Sequence, residues 1–524
     1  MLSTPRHGRD GRSEFSDFKL KNVKAKSLLL ALLTSVLLIL SFPPFGWGFL
    51  AFIAFLPLGL AVRDMTPKGA FGYAYVSGFA FFLGLLHWIV FDPVERWVAP
   101  LLYLGVLLIA GYLGLFLAAY AGLARFLSGR GKVPAWLAGP FLFTALEFLR
   151  SLGWTGFPWG TLGYTQSKAL LFVQFAEATG VWGVTFWVMG VNHLILETIA
   201  AGNAKRRTAF LSGLLALVLL PIVYGLGVMS RPQAPSRTIR IALIQGNIFQ
   251  DEKWQNPDYS LKVFTEMSRD VRKEKPDLVV WPETAVPCFL TSEWACRKSV
   301  EDIVTGLGTH LLTGAEDWEP LERNGPAYYN AAFLFAPDGA LLGRYHKKHL
   351  VPFGESIPFK EKVPFLRNVQ FGEADWSVGI LTFPLLHPKA ALAVLICFES
   401  IFPDEVRRQV KSGAGIIVNI TNDSWFGKTG AAQQHAQMAV FRAIENRTAI
   451  ARCANSGVSM FVDPFGRTSK VTKIFVRADL VGDLPLRSQT TFYTKHGDLF
   501  AWGTLWLSLL GLLTTVFCPW ERRK

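Results

Sequence analysis

Three short strings in the second half of the chain hold the residue types that nucleophilic catalysis needs. Leu278-Val279-Val280-Trp281-Pro282-Glu283 is an apolar strand pattern that stops at a proline and delivers a carboxylate. Tyr345-His346-Lys347-Lys348-His349-Leu350-Val351-Pro352-Phe353-Gly354-Glu355 brings two adjacent lysines and then a second carboxylate. Leu392-Ala393-Val394-Leu395-Ile396-Cys397-Phe398-Glu399 is a buried-type strand that ends in a thiol. Drawn into one cleft, a thiol, an ammonium and a carboxylate make a nucleophile, a clamp for a developing oxyanion, and a general base. Taken singly, each has a plainer reading. A lone cysteine at a strand end is usually a small buried hydrophobe, a Glu after Trp-Pro closes a turn, and paired lysines are usually solvated. Together they outweigh those readings, because strand ends are where an α/β fold projects groups rigidly into a shared cleft. His87, His193 and His435 read as structural histidines. No cluster has metal-ligand spacing, so the expectation is no metal and no cofactor.

The strings lie in a mixed, charged stretch from about 230 to 498 with short β-branched runs at Ile239–Ile244, Leu278–Trp281, His310–Thr313, Ala331–Phe335, Leu392–Ile396, Ile416–Ile420 and Val458–Val462. Helical periodicity over Asp258–Arg272 and an Asp338-Gly339 hairpin turn complete the pattern of an α/β domain with helices on sheets. The first half is different. Across 524 residues hydrophobic residues reach 51 % and charged ones only 18 %, against about a quarter charged in a soluble protein. Apolar runs near 26–42, 46–62, 69–91, 99–124, 134–150, 169–200, 208–229 and 499–518 predict eight membrane spans. Arg63 and Lys68, then Arg125, Arg130 and Lys132, then Lys205-Arg206-Arg207 fall on alternate connections, and the positive-inside rule puts them and both termini in the cytoplasm. The net charge of +14 thus reflects membrane orientation, and nucleic-acid binding is not expected. The 230–498 segment then lies outside the cytoplasmic membrane. There Cys288 and Cys296 meet an oxidising compartment, though eight residues of separation leaves their pairing open.

The three strings resemble those of the nitrilase superfamily, whose Glu-Lys-Cys triad follows this chain order on an αββα sandwich. Glu283, Lys347 and Cys397 match its positions; Lys347 is chosen over Lys348 because it stands eight residues before Glu355, as in the superfamily's string. Such a domain set between a seven-span bundle and a last span is similar to the apolipoprotein N-acyltransferase family of the bacterial inner membrane. Glu147-Phe148-Leu149-Arg150, Thr155-Gly156-Phe157-Pro158-Trp159, Gly163-Tyr164, Gln245-Gly246-Asn247 with Trp254, Asn422-Asp423-Ser424-Trp425-Phe426-Gly427 and Asn455-Ser456-Gly457 agree with that family too. One departure is Phe398, where a Tyr is common; the ring is kept and a hydroxyl lost.

The resemblance implies a polytopic α-helical membrane bundle of eight spans carrying an α/β nitrilase-like αββα sandwich. It divides the chain into a basic tail (1–25), a seven-span bundle (26–229), a periplasmic catalytic domain (230–498) and a last span with a basic tail (499–524). It implies an acyltransferase that moves a phospholipid's sn-1 acyl chain, through a thioester on Cys397, to the α-amine of a lipoprotein's S-diacylglyceryl cysteine. Glu283 is then the base and Lys347 the oxyanion clamp. Glu355 and Glu399 are supporting residues, and Trp254, Phe398, Trp425 and Phe426 contact substrate. Arg442, Glu445 and Arg452 read as a network supporting the site, and Glu147 and Arg150 as a pair or a headgroup contact. Two other classes compete: a membrane-tethered nitrilase-type amidase for a small substrate, which needs no large bundle, and a non-catalytic membrane binding module, which needs no complete triad.

Overall fold

The computed structural model describes residues 11–91, 99–129, 133–153, 155–231, 237–321, 325–357, 376–380 and 383–517. The expected Asp92 to Arg96 connection, Arg130, Lys132 and the terminal Arg522-Arg523-Lys524 lie outside them. The N-terminal half is helical: α1 Gly11–Ser41, α2 Leu56–Val62, α3 Pro67–Leu85, α4 Ala99–Gly129, α5 Ala135–Arg150, α6 Ala176–Thr179, α7 Val181–Ala200 and α8 Ala204–Met229. Polar caps start two of these: Thr66 accepts from Gly69 N ahead of Pro67 in α3, and Asn203 accepts from Arg206 N in α8, each satisfying an otherwise orphaned donor. α1 already runs through the described part of the expected N-terminal tail.

Among the described residues, six helices are long and apolar enough to cross a membrane: Lys24–Ser41, Pro67–Phe91, Ala99–Gly129, Val181–Ala200, Ala204–Met229 and Leu499–Phe517. The eight expected spans are therefore not all of crossing length. Between 46 and 62 the chain forms a 3-10 turn at Gly48–Phe52 and then the seven-residue α2, because Gly46 takes φ 64 and Pro57 starts a fresh helix. The stretch at 134–150 is the 16-residue α5, about 24 Å long against a hydrocarbon core of about 30 Å. The run expected at 169–200 is long helix only from Val181, since Gly180 at φ 65 separates α7 from the one-turn α6. α5 packs among α4, α7 and the last helix, α15 (Leu499–Phe517), with Phe148 against Trp182 and Trp502 at 5.4 and 5.0 Å between ring centroids. Glu147 and Arg150 form a buried pair at 3.4 Å. Arg150 donates to Phe157 O and Trp159 O, while Glu147 accepts from Leu162 N and Thr185 Oγ1. The pair fastens the loop after α5.

From Thr238 the chain alternates strands and helices: β1 Thr238–Gln245, α9 Gln250–Gln255, α10 Pro257–Val271, β2 Leu278–Val280, β3 Val286–Phe289, α11 Trp294–Leu307, β4 His310–Leu321, β5 Gly325–Phe335, β6 Leu341–His346, β7 Leu385–His387, β8 Ala390–Ile396, α12 Pro403–Lys411, β9 Ile416–Thr421, α13 Ala431–Asn446, β10 Ile450–Ala454, β11 Met460–Val462, β12 Thr468–Ser469, β13 Ala478–Pro485 and α14 Phe492–His496. One sheet runs β13-β1-β2-β4-β5-β6, with β3 beside β4; the other runs β12-β11-β10-β9-β8-β7. β1, β2 and β4 are parallel, as are β8, β9 and β10, and antiparallel strands flank both trios. The strand period of two sends alternate residues to opposite faces. Ile239, Ile241, Leu243, Leu278 and Val280 meet Leu392, Val394, Ile396, Ile416, Val418 and Ile420 between the sheets. The outer faces carry α10 and α11 on one side and α12 and α13 on the other. This is an αββα sandwich.

The sandwich sits on the bundle through α13 and a 3-10 turn, Cys397–Ile401. Phe398, Ile401, Phe402, Met438, Phe441 and Ile444 share one continuous apolar cluster with the membrane helices. Polar groups stitch the seam: Trp159 Nε1 donates to Gln434 Oε1, Gln434 Nε2 to Pro43 O, Arg442 Nη2 to Tyr164 Oη and Val181 N to Glu445 Oε1. The Arg442–Glu445 pair, 3.0 Å, therefore ties α13 to the bundle and does not reach the site expected for it. Pro43, Tyr164 and Val181 thus mark the end of the bundle that meets the sandwich. At the opposite ends, Arg63 follows α2, Arg125 lies in the last part of α4, and Lys205-Arg206-Arg207 open α8.

Candidate active site

Each sequence-predicted group leaves the end of a strand. Glu283 follows β2, Lys347 follows β6 and Cys397 follows β8. Glu283 reaches its position because β4 offers no side chain at Gly314, where a Cβ would lie 2.7 Å from Glu283 Cα and 2.5 Å from Thr284 N. Lys347 is set by the β5–β6 hairpin, turned at Asp338-Gly339 with Gly339 at φ 86, and its N–H donates to Asn330 O at 2.9 Å. Cys397 takes φ 50, the left-handed region that costs a non-glycine residue about 1–2 kcal/mol. The conformation turns the chain sharply out of β8.

The three side chains meet in a buried cluster. Lys347 Nζ donates to Glu355 Oε1 at 2.7 Å and Glu283 Oε1 at 3.3 Å. Asn330 Nδ2 joins the same two carboxylates, at 2.8 Å to Glu283 and 3.2 Å to Glu355. Asn422 N donates to Glu283 Oε2 at 2.8 Å, and Val351 N to Glu355 Oε2 at 2.9 Å. Burial works against the Lys347 ammonium, but the Glu355 and Glu283 carboxylates outweigh it and hold the amine charged well above the usual lysine range. Burial pushes the Cys397 thiol well above its ordinary value, the charge of Glu283 adds to that, and Lys347 opposes it. Lys348 stands outside the cluster and pairs with Glu405 at 3.4 Å.

Glu399 is fully buried. Its Oε1 accepts from Tyr345 Oη, Lys348 N and His349 N at 2.8, 2.7 and 3.3 Å, and its Oε2 from Ile396 N at 2.7 Å. It thereby joins the strand end before Cys397 to the loop after Lys347. Burial raises its pKa to about 7 against those donors. Phe398 lies against Phe157 and Phe402, at 6.3 and 5.1 Å. Phe426 touches Trp88, Trp159 and His435. Trp254 lies under the Lys253 ammonium, 5.1 Å from its ring, and Lys253 Nζ donates to Thr284 Oγ1 beside Glu283. Trp425 is partly buried in the same turn as Phe426.

Sequence reasoning missed Asn330, Tyr345, Ser400 and the part played by Asp423 and His435. Asp423 accepts from Thr421 Oγ1 and Arg452 Nη2, each at 2.9 Å. Gly457 leaves room for it, since a Cβ there would come within 2.0 Å of Asp423 Oδ2. Burial opposes the Asp423 charge, yet Arg452 and His435 bring its pKa down to about 2. Arg452 thus lies in the buried set behind Cys397, bonded to Asp423. Cys288 and Cys296 are disulfide-bonded, which closes the question their spacing left open.

An αββα sandwich with a buried carboxylate, ammonium and thiol at its strand ends, seated on membrane helices, is the architecture of a membrane-bound member of the carbon-nitrogen hydrolase class. Residues 240–475 match the model of that class, Carbon-nitrogen hydrolase, and residues 34–194 match the Apolipoprotein N-acyltransferase N-terminal domain. The apolipoprotein N-acyltransferase of Geobacter metallireducens is 37 % identical over 92 % of this chain and 93 % of its own length. That of Chlorobaculum tepidum is 32 % identical over 92 % and 95 %. Among solved structures, an amidase from Nesterenkonia sp. is 19 % identical with a TM-score of 0.36, covering 52 % of this chain and 95 % of the amidase. The chain belongs to the apolipoprotein N-acyltransferase family.

Proposed function

We propose that the protein is a phospholipid:apolipoprotein N-acyltransferase that works through a thioester on Cys397. The observation that carries the reading is the buried Glu283–Lys347–Glu355 cluster whose charges act on Cys397, mounted on apolar membrane helices. Because its thiol is protonated at rest, Cys397 needs a base during attack on the sn-1 ester carbonyl, and Glu283 takes that proton. Lys347 and backbone N–H groups of the Cys397–Ile401 turn hold the tetrahedral oxyanion; losing one such donor typically costs roughly 3–4 kcal/mol of barrier. As the C–O bond breaks, the lysophospholipid leaves with a proton from Glu283. The amine of the diacylated lipoprotein then attacks the thioester and gives a proton to Glu283, which passes it to Sγ as the C–S bond breaks, so the amide forms and the thiol is restored. Two substrates entering in turn give ping-pong kinetics. Glu355 and Glu399 support Lys347 and the thiol turn, and Trp254, Phe398, Trp425 and Phe426 line the lipid path.

The same reading puts the chain in the bacterial inner membrane, with 230–498 in the periplasm, the 1–25 tail in the cytoplasm, and 499–524 as a last span whose basic tail returns to the cytoplasm. Five long helices precede the sandwich; if α5 and Gly48–Val62 also cross, the number is seven and the sandwich stays on the side opposite the N-terminus. Shielding by α4, α7 and α15 supports a short crossing for α5, since backbone of irregular length is tolerated in a bilayer where protein covers it.

The test is covalent capture. Purified protein given phospholipid alone should gain one acyl mass on Cys397 that neutral hydroxylamine removes, and Cys397→Ala should lose both the adduct and all transfer to a diacylated lipopeptide. Undiminished transfer by Cys397→Ala would mean direct attack of the amine on phospholipid, and the thioester route would be abandoned.

A further inference from the structure

Behind the nucleophile lies a second buried polar set that the acyl-transfer steps do not use. A ring nitrogen of His435, a carboxylate oxygen of Asp423 and Cys397 Sγ are all within 4.8 Å of one another, and all three residues are more than nine-tenths buried. His435 Nδ1 is 3.0 Å from Asp423 Oδ1 and 3.1 Å from Arg452 Nη2. Its Nε2 is 3.1 Å from the Cys397 carbonyl oxygen and 2.9 Å from Ser400 Oγ. The carbonyl can only accept, so the bond from Nε2 to it requires a proton on Nε2, whichever of Asp423 Oδ1, an acceptor, and Arg452, a donor, Nδ1 serves. Asp423 is meanwhile held by Thr421 and Arg452, and Arg452 also donates to Asn419. Ser400 Oγ donates to the same Cys397 carbonyl at 3.0 Å. Two donors from different elements thus converge on the peptide that leaves the nucleophile.

That peptide is the one with something to hold. Cys397 sits at φ 50, a conformation that persists in a non-glycine residue only where its surroundings over-determine it. The ring that does part of the holding is itself immobilised. It lies tilted by 35° against Trp159, 5.7 Å away, and edge-on to Phe426 at 6.0 Å, while its neighbour Gln434 is bonded to Trp159 Nε1.

We propose that His435 is a positioning residue for the nucleophile: by donating from Nε2 to the Cys397 carbonyl it holds the left-handed turn that aims Sγ into the cleft. The inference rests on the reading of Cys397 as nucleophile. What the site needs there is a hydrogen-bond donor at one point; a charge or a mere ring does not replace it.

The experiment uses the full chain in detergent and follows acyl-adduct formation from phospholipid by mass, with melting temperature measured alongside. His435→Gln keeps an amide N–H near the place of Nε2, His435→Asn puts it near Nδ1 instead, and His435→Phe fills the ring volume without a donor. All three disturb the buried set and should lower the melting temperature. Only Gln should acylate within a few-fold of wild type, whereas Asn and Phe fall by roughly a hundredfold, the scale expected for a misaimed reacting atom. The fall should be in the maximal rate, with the half-saturating phospholipid concentration unchanged. Equal rates for Gln and Asn, whether fast or slow, would overturn the proposal even if Phe fails to fold. Absence of any adduct in the wild type would instead overturn the thioester reading on which it stands.

Discussion

At the scale of single residues, the site sets two requirements against each other. Cys397 is buried beside a carboxylate, and both features disfavour its thiolate. Lys347 opposes them but is already shared between Glu355 and Glu283. A nucleophile that is neutral at rest reacts only when a base takes its proton in the same step. This leads to an unusual pair of expectations for Glu283→Gln. Alkylation by iodoacetamide needs thiolate, so its rate in the wild type should keep rising with pH past the ordinary thiol range. Removing the Glu283 charge lowers the thiol pKa, so the variant's alkylation profile should move to lower pH and its alkylation at a given pH should quicken. Acylation by phospholipid should meanwhile fall by roughly 10²–10⁴, the usual contribution of a general base. Rates that moved in the same direction would mark Glu283 as a shaping residue and not a base.

At the scale of elements, α13 is the piece that both halves share. Arg447, the residue that caps its C-terminus, reaches across the seam to Glu177 Oε2 at 2.6 Å and to Gln174 Oε1 at 2.6 Å, with Pro464 O at 3.0 Å. Breaking a buried pair leaves an uncompensated charge and typically costs about 3–5 kcal/mol. Arg447→Met should therefore lower the melting temperature markedly, and adding Glu177→Gln should recover part of the loss; a double variant less stable than the single one would contradict this account. Such seams were not legible in the sequence, because they depend on which helix ends meet. What was legible was local. Glu283, Lys347 and Cys397 are brought together from the strand ends where their strings put them, since each apolar run and its terminating residue lie within a few positions of each other. Asn330 was hidden because its value comes from β5–β6 register, which sets it beside Lys347. β10 escaped because Arg452 interrupts its apolar run, and β13 because Asp479 and Asp483 do the same. The spans at 46–62 and 134–150 read as ordinary crossings since a hydropathy window counts apolar residues. It does not register that Gly46 and Pro57 divide one stretch, or that the buried Glu147–Arg150 pair ends the other as a loop anchor.

At the scale of the whole molecule, the proposed orientation rests on charge and contact together. The ends of the bundle that meet the sandwich, at Pro43, Tyr164 and Val181, carry no basic cluster, and the opposite ends carry Arg63, Arg125 and Lys205-Arg206-Arg207. A reporter placed at Gly202, in the exposed connection between α7 and α8, should therefore read cytoplasm, and one inserted at the exposed turn of Gly413 should read periplasm. Reporters on the same side would remove the proposed access to lipid from the periplasmic face. The position of α15 has a further consequence, one of timing. Its seat is built from early parts of the chain: Trp502 on Phe148 of α5, Phe500 on Phe186 of α7, and Asp498 accepting from Trp182 Nε1. A ribosome making roughly 5–20 residues per second needs on the order of 15 to 50 s to pass from α8 to α15. Throughout that interval the nascent bundle has an open groove facing lipid and the sandwich is tethered by one end only. A chain that stops short of Leu499 keeps Glu283, Lys347 and Cys397 and lacks the helix that covers α5 and α7.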